Sequence, residues 1–153
     1  MSVSVYQQEL DSELLDAADE GDVDTVRTLL DRLANVNGHD AHGWSPLHKA
    51  SFRGHQPCIE LLIDRRANVN AVGGPSMKTP LHLASGQGRR QCIELLLARQ
   101  ADVNVVDSTN QTPLHLTSYN GHQPCIELLI DHGADRTIKD VRVRASELSV
   151  ARW

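Results

Sequence analysis

The sequence predicts an all-α repeat solenoid of stacked helix-turn-helix units with β-hairpin-like loops, and three recurrences carry that prediction. Ser45-Pro46-Leu47-His48 returns as Thr79-Pro80-Leu81-His82 and again as Thr112-Pro113-Leu114-His115. Gly54, Gly88 and Gly121 keep the same interval, and so do Cys58, Cys92 and Cys125. Self-similarity at a fixed period of this length means that each unit is one supersecondary element that needs neighbours to bury its apolar face.

The units follow in order along the 153 residues. Residues 1–10 read as an N-terminal extension and 11–153 as one repeat domain, with units at about 12–44, 45–78, 79–111 and 112–143. Ser12-Glu13-Leu14-Leu15 with Gly21 is a divergent first copy, and Arg144-Ala145-Ser146-Glu147-Leu148 opens a worn, partial C-terminal cap over 144–153. Within a unit, the Ser or Thr hydroxyl accepts from a free backbone N–H at the start of a helix. The proline behind it occupies a position that needs no N–H. That short first helix ends by the glycine, which takes a left-handed turn at least cost. A second helix opens with Pro57 or Pro124 in two units and carries Cys-Ile-Glu-Leu-Leu, whose apolar positions form one broad buried face. Asn68-Val69-Asn70 and Asp102-Val103-Asn104 then lead through turn formers to the next unit.

A turn and two helices carrying T-P-L-H-x-A at a period of about 33 residues resembles the ankyrin repeat, over essentially all of the chain past residue 11. The resemblance implies L-shaped units stacked into a slightly curved solenoid, with first helices lining a concave groove and hairpin tips projecting beside it. It implies that the motif imidazole bonds locally to tie loop to helix. It implies, too, that a glycine follows the second helix. Gly133 fits, whereas Leu33, Arg66 and Gln100 stand at the matching positions and would carry backbone strain if held at positive φ.

Composition narrows the function. Fifteen basic residues against twenty acidic ones give a net charge of −5, which argues against a protein that grips nucleic acid by its phosphates. No apolar run approaches the ~18 residues of a membrane span, and the opening residues lack the pattern of a signal peptide. An odd cysteine count argues for a reducing compartment, cytoplasmic or nuclear. The three cysteines occupy one equivalent site in successive units, ~10 Å apart and too far for a disulfide, so they read as core thiols. His48, His82, His115, His55 and His122 repeat with the motif and read as structural, not as metal ligands. No nucleophile elbow, phosphate loop, H-E-x-x-H or C-x-x-C is present, and Gly73-Gly74-Pro75 reads as a one-residue insertion at a loop tip. The expectation is no enzyme, no cofactor, no metal and no small-molecule substrate. What remains is a monomeric adaptor for another protein or peptide.

Stacked units must agree where they touch, so positions where they disagree are candidates for recognition. On the first helices these include Asp19 and Glu20, then Lys49, Phe52 and Arg53, then Gln87, then Tyr119 and Asn120; at the tips they include His42, Trp44, Met77 and Gln111. Large aromatics and arginine favour interfaces, which makes Trp44, Phe52, Arg53 and Tyr119 the expected anchors. Packing along the groove is the competing role for the same aromatics. Charge is also uneven. Nine carboxylates face one arginine over 9–31, and five basic residues face two acidic ones over 136–153. Two other functions stay open. The array could be a targeting or spacer module of a larger protein. The resemblance also implies that Asn37, Asn70 and Asn104, each eight residues after a leucine, could be substrates of an asparaginyl hydroxylase, although the same amides could simply brace the loops.

Overall fold

The computed structural model describes residues 4–138, and its helices form two parallel rows. First helices α1 (Val5–Glu20), α3 (Pro46–Arg53), α5 (Pro80–Gly86) and α7 (Pro113–Tyr119) stack in one row. Second helices α2 (Val23–Asp31), α4 (Gln56–Asp64), α6 (Arg90–Ala98) and α8 (Gln123–Asp131) stack in the other. The expected partial cap at 144–153, with Trp153 and most of the basic C-terminal run, lies outside the described residues.

The motif supplies both ends of the first helices. Ser45, Thr79 and Thr112 hold extended backbone, and each hydroxyl accepts from the N–H of the histidine three residues on. The imidazole Nδ1 in turn accepts from the N–H of the capping residue, so His48, His82 and His115 complete reciprocal capping boxes. Each such cap contributes ~1 kcal/mol. Gly54, Gly88 and Gly121 then close the helices at φ of 82°, 67° and 70°. Helix α1 departs from this scheme. It begins at Val5 behind the cap Ser4, runs through the stretch read as an extension and buries Leu10, leaving Ser12 inside the helix.

Repetition at the core is nearly complete. Leu14, Leu47, Leu81 and Leu114 occupy one site in successive first helices, while Val26, Ile59, Ile93 and Ile126 occupy one site in the second. Cys58, Cys92 and Cys125 are buried free thiols in that second row, and burial pushes each thiol upward in pKa.

Three kinds of polar joint lock one unit to the next. His48 Nε2 donates to Lys78 O at 2.9 Å, and His82 Nε2 donates to Gln111 O at 2.8 Å. Burial lowers the pKa of both imidazoles, which keeps them neutral with the proton on Nε2, as those carbonyl partners require. His55 Nε2 and His122 Nε2 reach back to Asp19 O and Gly86 O, and Arg89 fills the same position in the unit between them. Finally, each loop asparagine spans a joint. Asn37 donates to Arg66 O and accepts from Asn68 N, Asn70 does the same with Gln100 and Asp102, and Asn104 with Gly133 and Asp135.

The loops are turns more than hairpins. Among the described residues the sole β-pairing is one antiparallel bridge between Gly73 and Lys78. Leu33, Arg66 and Gln100 do stand at positive φ, 68°, 71° and 70°, beside Gly133 at 91°.

Candidate functional site

Positions 49, 52 and 53 of α3 sit on the face of the first helix that the core leaves free, and the loop ahead of α3 brings Trp44 beside them. Together with Asp19, His48 and Leu83 they line a cleft of about 250 Å³. The cleft therefore gathers five of the residues singled out from sequence, Asp19, Trp44, Lys49, Phe52 and Arg53, from two units and a loop.

Trp44 forms one wall. It is half-buried, with its ring edge-on to His48 at 5.1 Å between centroids. A side chain on Gly74 would place Cβ 2.5 Å from the indole, and one on Gly73 would stand 2.3 Å from Gly43 O. The middle loop thus presents bare backbone to the tryptophan. The extra residue of Gly73-Gly74-Pro75, read from sequence as an insertion at a tip, helps to floor this ring.

Phe52 also lines the cleft and remains 39% exposed. The Arg53 guanidinium lies 5.7 Å from the Phe52 ring centroid, and its Nε donates to Asp19 at 3.2 Å. Lys49 Nζ pairs with Asp40 at 2.9 Å. Burial alone pushes the Asp40 carboxyl upward, but the Lys49 ammonium and the N–H groups of Trp44 and His42 outweigh it and hold the pKa at about 2. Both cations of the cleft are consequently engaged within the fold.

The other expected residues lie along the same side without entering the cleft. Glu20 is exposed at the end of α1, Gln87 is exposed after α5, and His42 is exposed on the first loop. Met77 is 53% exposed at φ 56°, in the turn position where the other two loops have Gly43 and Asn110. Tyr119 is 54% exposed near the end of α7, and Asn120 Nδ2 donates to Gly86 O at 3.1 Å.

Gln111 is a correction. It is only 2% exposed: its N–H donates to Asp107 Oδ1 and its main-chain carbonyl accepts from His82, as that of Lys78 does from His48, and its side-chain Oε1 in addition accepts from Thr109 Oγ1 at 3.3 Å within its own loop. It cannot serve as an open contact. Asp107 organises that loop: its buried carboxylate takes Lys78 Nζ at 2.5 Å and the N–H groups of Thr109 and Gln111. Burial pushes the Asp107 carboxyl up, but these donors prevail and hold it at about 2.

Asp40 is a site residue that the sequence placed only as a turn former, whereas Leu83 stands among the variable first-helix positions but not among the expected contacts. Asp40 had a readable signal: an aspartate opening the turn four residues before Trp44, repeated as Asp107 four residues before Gln111. Leu83 had one too, as the counterpart of Lys49 at a position where the units disagree. Among the described residues, no group of three or more His, Cys, Asp or Glu side chains could hold a metal ion, and no helix is long and apolar enough to cross a membrane.

Comparison with known proteins agrees with this architecture. The family described as ankyrin repeats (3 copies) matches residues 11–73 and again 73–140. The chain is 35% identical over 68 residues to ankyrin repeat-containing protein ITN1 of Arabidopsis thaliana, covering 43% of this chain and 12% of that protein. It is 40% identical over 68 residues to acyl-CoA-binding domain-containing protein 1 of Arabidopsis thaliana, covering 41% and 20%. It is 40% identical over 60 residues to human ankyrin repeat domain-containing protein 49, covering 39% and 25%. The match thus spans a quarter or less of each of these relatives. Ankyrin repeats are in general protein–protein interaction modules and typically non-enzymatic. With capping motif, paired helices and left-handed turns recurring in register, and the family matched across most of its length, this chain belongs to the ankyrin repeat family.

Proposed function

We propose that the chain is a non-enzymatic adaptor that holds a partner protein or peptide against the face formed by its first helices and loop tips. The observation that carries this reading is the aromatic-walled cleft itself. Phe52 and Tyr119 stay 39% and 54% exposed in an array whose other large apolar side chains mostly pack inward. Trp44 and Phe52 would anchor the partner, Lys49 and Arg53 would shape the rim, and Met77, Gln87, Tyr119 and Asn120 would extend the contact along the array. His42, Asp19 and Glu20 would complete it at the N-terminal side.

Quantitative affinity capture tests the reading with three baits: wild type, Phe52→Ala/Tyr119→Ala, and Glu60→Ala/Glu127→Ala on the second-helix side. Both substituted pairs are exposed, so all three baits should fold, which their melting curves check. Proteins lost from the aromatic variant but retained by the glutamate variant are the expected result. Identical recovery from wild type and the aromatic variant would overturn the proposal. A targeting module within a larger protein is a second reading, favoured by the small share of each relative that the match covers. Fusion of residues 1–153 to a fluorescent protein tests it: a distribution identical to the fluorescent protein alone rejects targeting.

A further inference from the structure

The charge balance around the cleft says what kind of segment suits it, an inference that rests on the groove reading above and gives it chemical content. Positions 16, 49, 83 and 116 are equivalent along the first helices, as are 20, 53, 87 and 120. Asp16 and Glu20 therefore continue the row on which Lys49 and Arg53 flank the cleft. Of the carboxylates on or beside this face, Asp19 is engaged by Arg53 and Asp40 by Lys49. Asp16 and Glu20 are exposed and meet no cation among the described residues. Beyond the cleft the row carries no charge: Leu83, Gly86 and Gln87 are followed by Leu116, Tyr119 and Asn120. The face is negative at one end, charge-balanced at the cleft, and uncharged beyond it.

We propose that its occupant is a peptide segment carrying apolar side chains for the Trp44–Phe52–Leu83 cleft and lysine or arginine side chains that reach Asp16 and Glu20. A basic segment meets two open carboxylates and leaves both ion pairs of the cleft intact. An acidic segment would meet those carboxylates as like charges. It could satisfy its own charge there only by sharing Arg53 with Asp19 or Lys49 with Asp40, two cations whose charge the fold already balances.

Two synthetic heptapeptides test the proposal, each with a central Leu-Phe-Leu and two lysines, or two glutamates, on either side. The reporter is Trp44 fluorescence in a Trp153→Phe background, which leaves one tryptophan in the chain. The lysine peptide is expected to shift the emission and to bind at least about fivefold more tightly than the glutamate peptide at low salt. Neutralising Asp16 and Glu20 together as Asp16→Asn/Glu20→Gln should weaken the lysine peptide by about fivefold, the scale expected of two exposed ion pairs. Glu60→Gln/Glu127→Gln removes the same charge from the other side of the molecule and should leave its affinity unchanged. Equal affinity of the two peptides, binding of neither, or equal loss in both double variants would overturn the inference. A groove that captures a protein but fails this test would keep the adaptor reading while losing the basic partner.

Discussion

Replacing Arg66 and Gln100 by glycine should make the protein more stable. Both residues close a second-helix turn at positive φ, 71° and 70°, in the position where the fourth unit has Gly133 at 91°. An L side chain in the left-handed region costs ~1–2 kcal/mol. Glycine loses ~0.5–1 kcal/mol more chain entropy on folding, which offsets part of the gain. The net is ~0.5–1 kcal/mol per site, and the two sites are far enough apart to add. The bonds that cross these joints survive the change, because Asn37 and Asn70 grip the backbone carbonyls of residues 66 and 100. At ~2–4 °C per kcal/mol for a domain of this size, Arg66→Gly/Gln100→Gly should raise Tm by ~2–8 °C in a circular-dichroism melt. Arg65→Gly is the control: that residue sits at φ −95° and pairs with Asp31, so its loss should lower Tm. A double variant that melts at or below wild type would refute the account of strain.

Three further outcomes follow from the loops and joints. The Asp107 carboxyl is depressed from 3.8 to about 2, so its contribution is complete above the unfolded value and disappears as pH falls toward the folded one. Urea titrations between pH ~5 and ~2 should therefore show a loss that Asp107→Asn reduces by ~2 kcal/mol; an equal acid loss in both proteins would remove the ion pair from the explanation. The hydroxyls of Ser51 and Ser85 are buried without a partner, and Ala18 holds the same position in the first unit, so Ser51→Ala/Ser85→Ala should stabilise by ~1–2 kcal/mol in chemical denaturation. Gly74→Ala should displace the Trp44 ring and also meet strain at φ 74°, seen as lower Tm and altered Trp44 emission in the Trp153→Phe background; an unchanged spectrum would mean that the loop does not support the indole.

Most of the fold was legible because each unit repeats the same local chemistry. The [ST]-P-L-H motif marks a capping residue, a first-turn proline, a buried leucine and the imidazole that completes the box, all within four positions. Comparing Gly133 with Leu33, Arg66 and Gln100 was enough to locate the left-handed turns. The start of α1 was not legible, since its cap is Ser4 and nothing in the repeat pattern reaches that far. At the site, the unequal positions of the first helices did converge on one face. Residue 111 did not, and the reason is physical. Trp44, Lys78 and Gln111 are equivalent in sequence, yet Trp44 finds bare glycine backbone, Lys78 finds Asp107, and Gln111 is drawn under by its own loop. The first two depend on what the next loop presents, which no single unit encodes, and the third on Thr109 within the same loop.

The asparagine joints have a consequence for how such a molecule can change its reach. Asn37, Asn70 and Asn104 make the same pair of bonds to whichever unit comes next, and those bonds go to main-chain atoms, so they are indifferent to most side chains there. A whole unit can be spliced in or removed between two joints without redesigning either one. Ancestral gain or loss of a copy would then lengthen or shorten the recognition surface in fixed steps, leaving each new stretch free to acquire its own specificity.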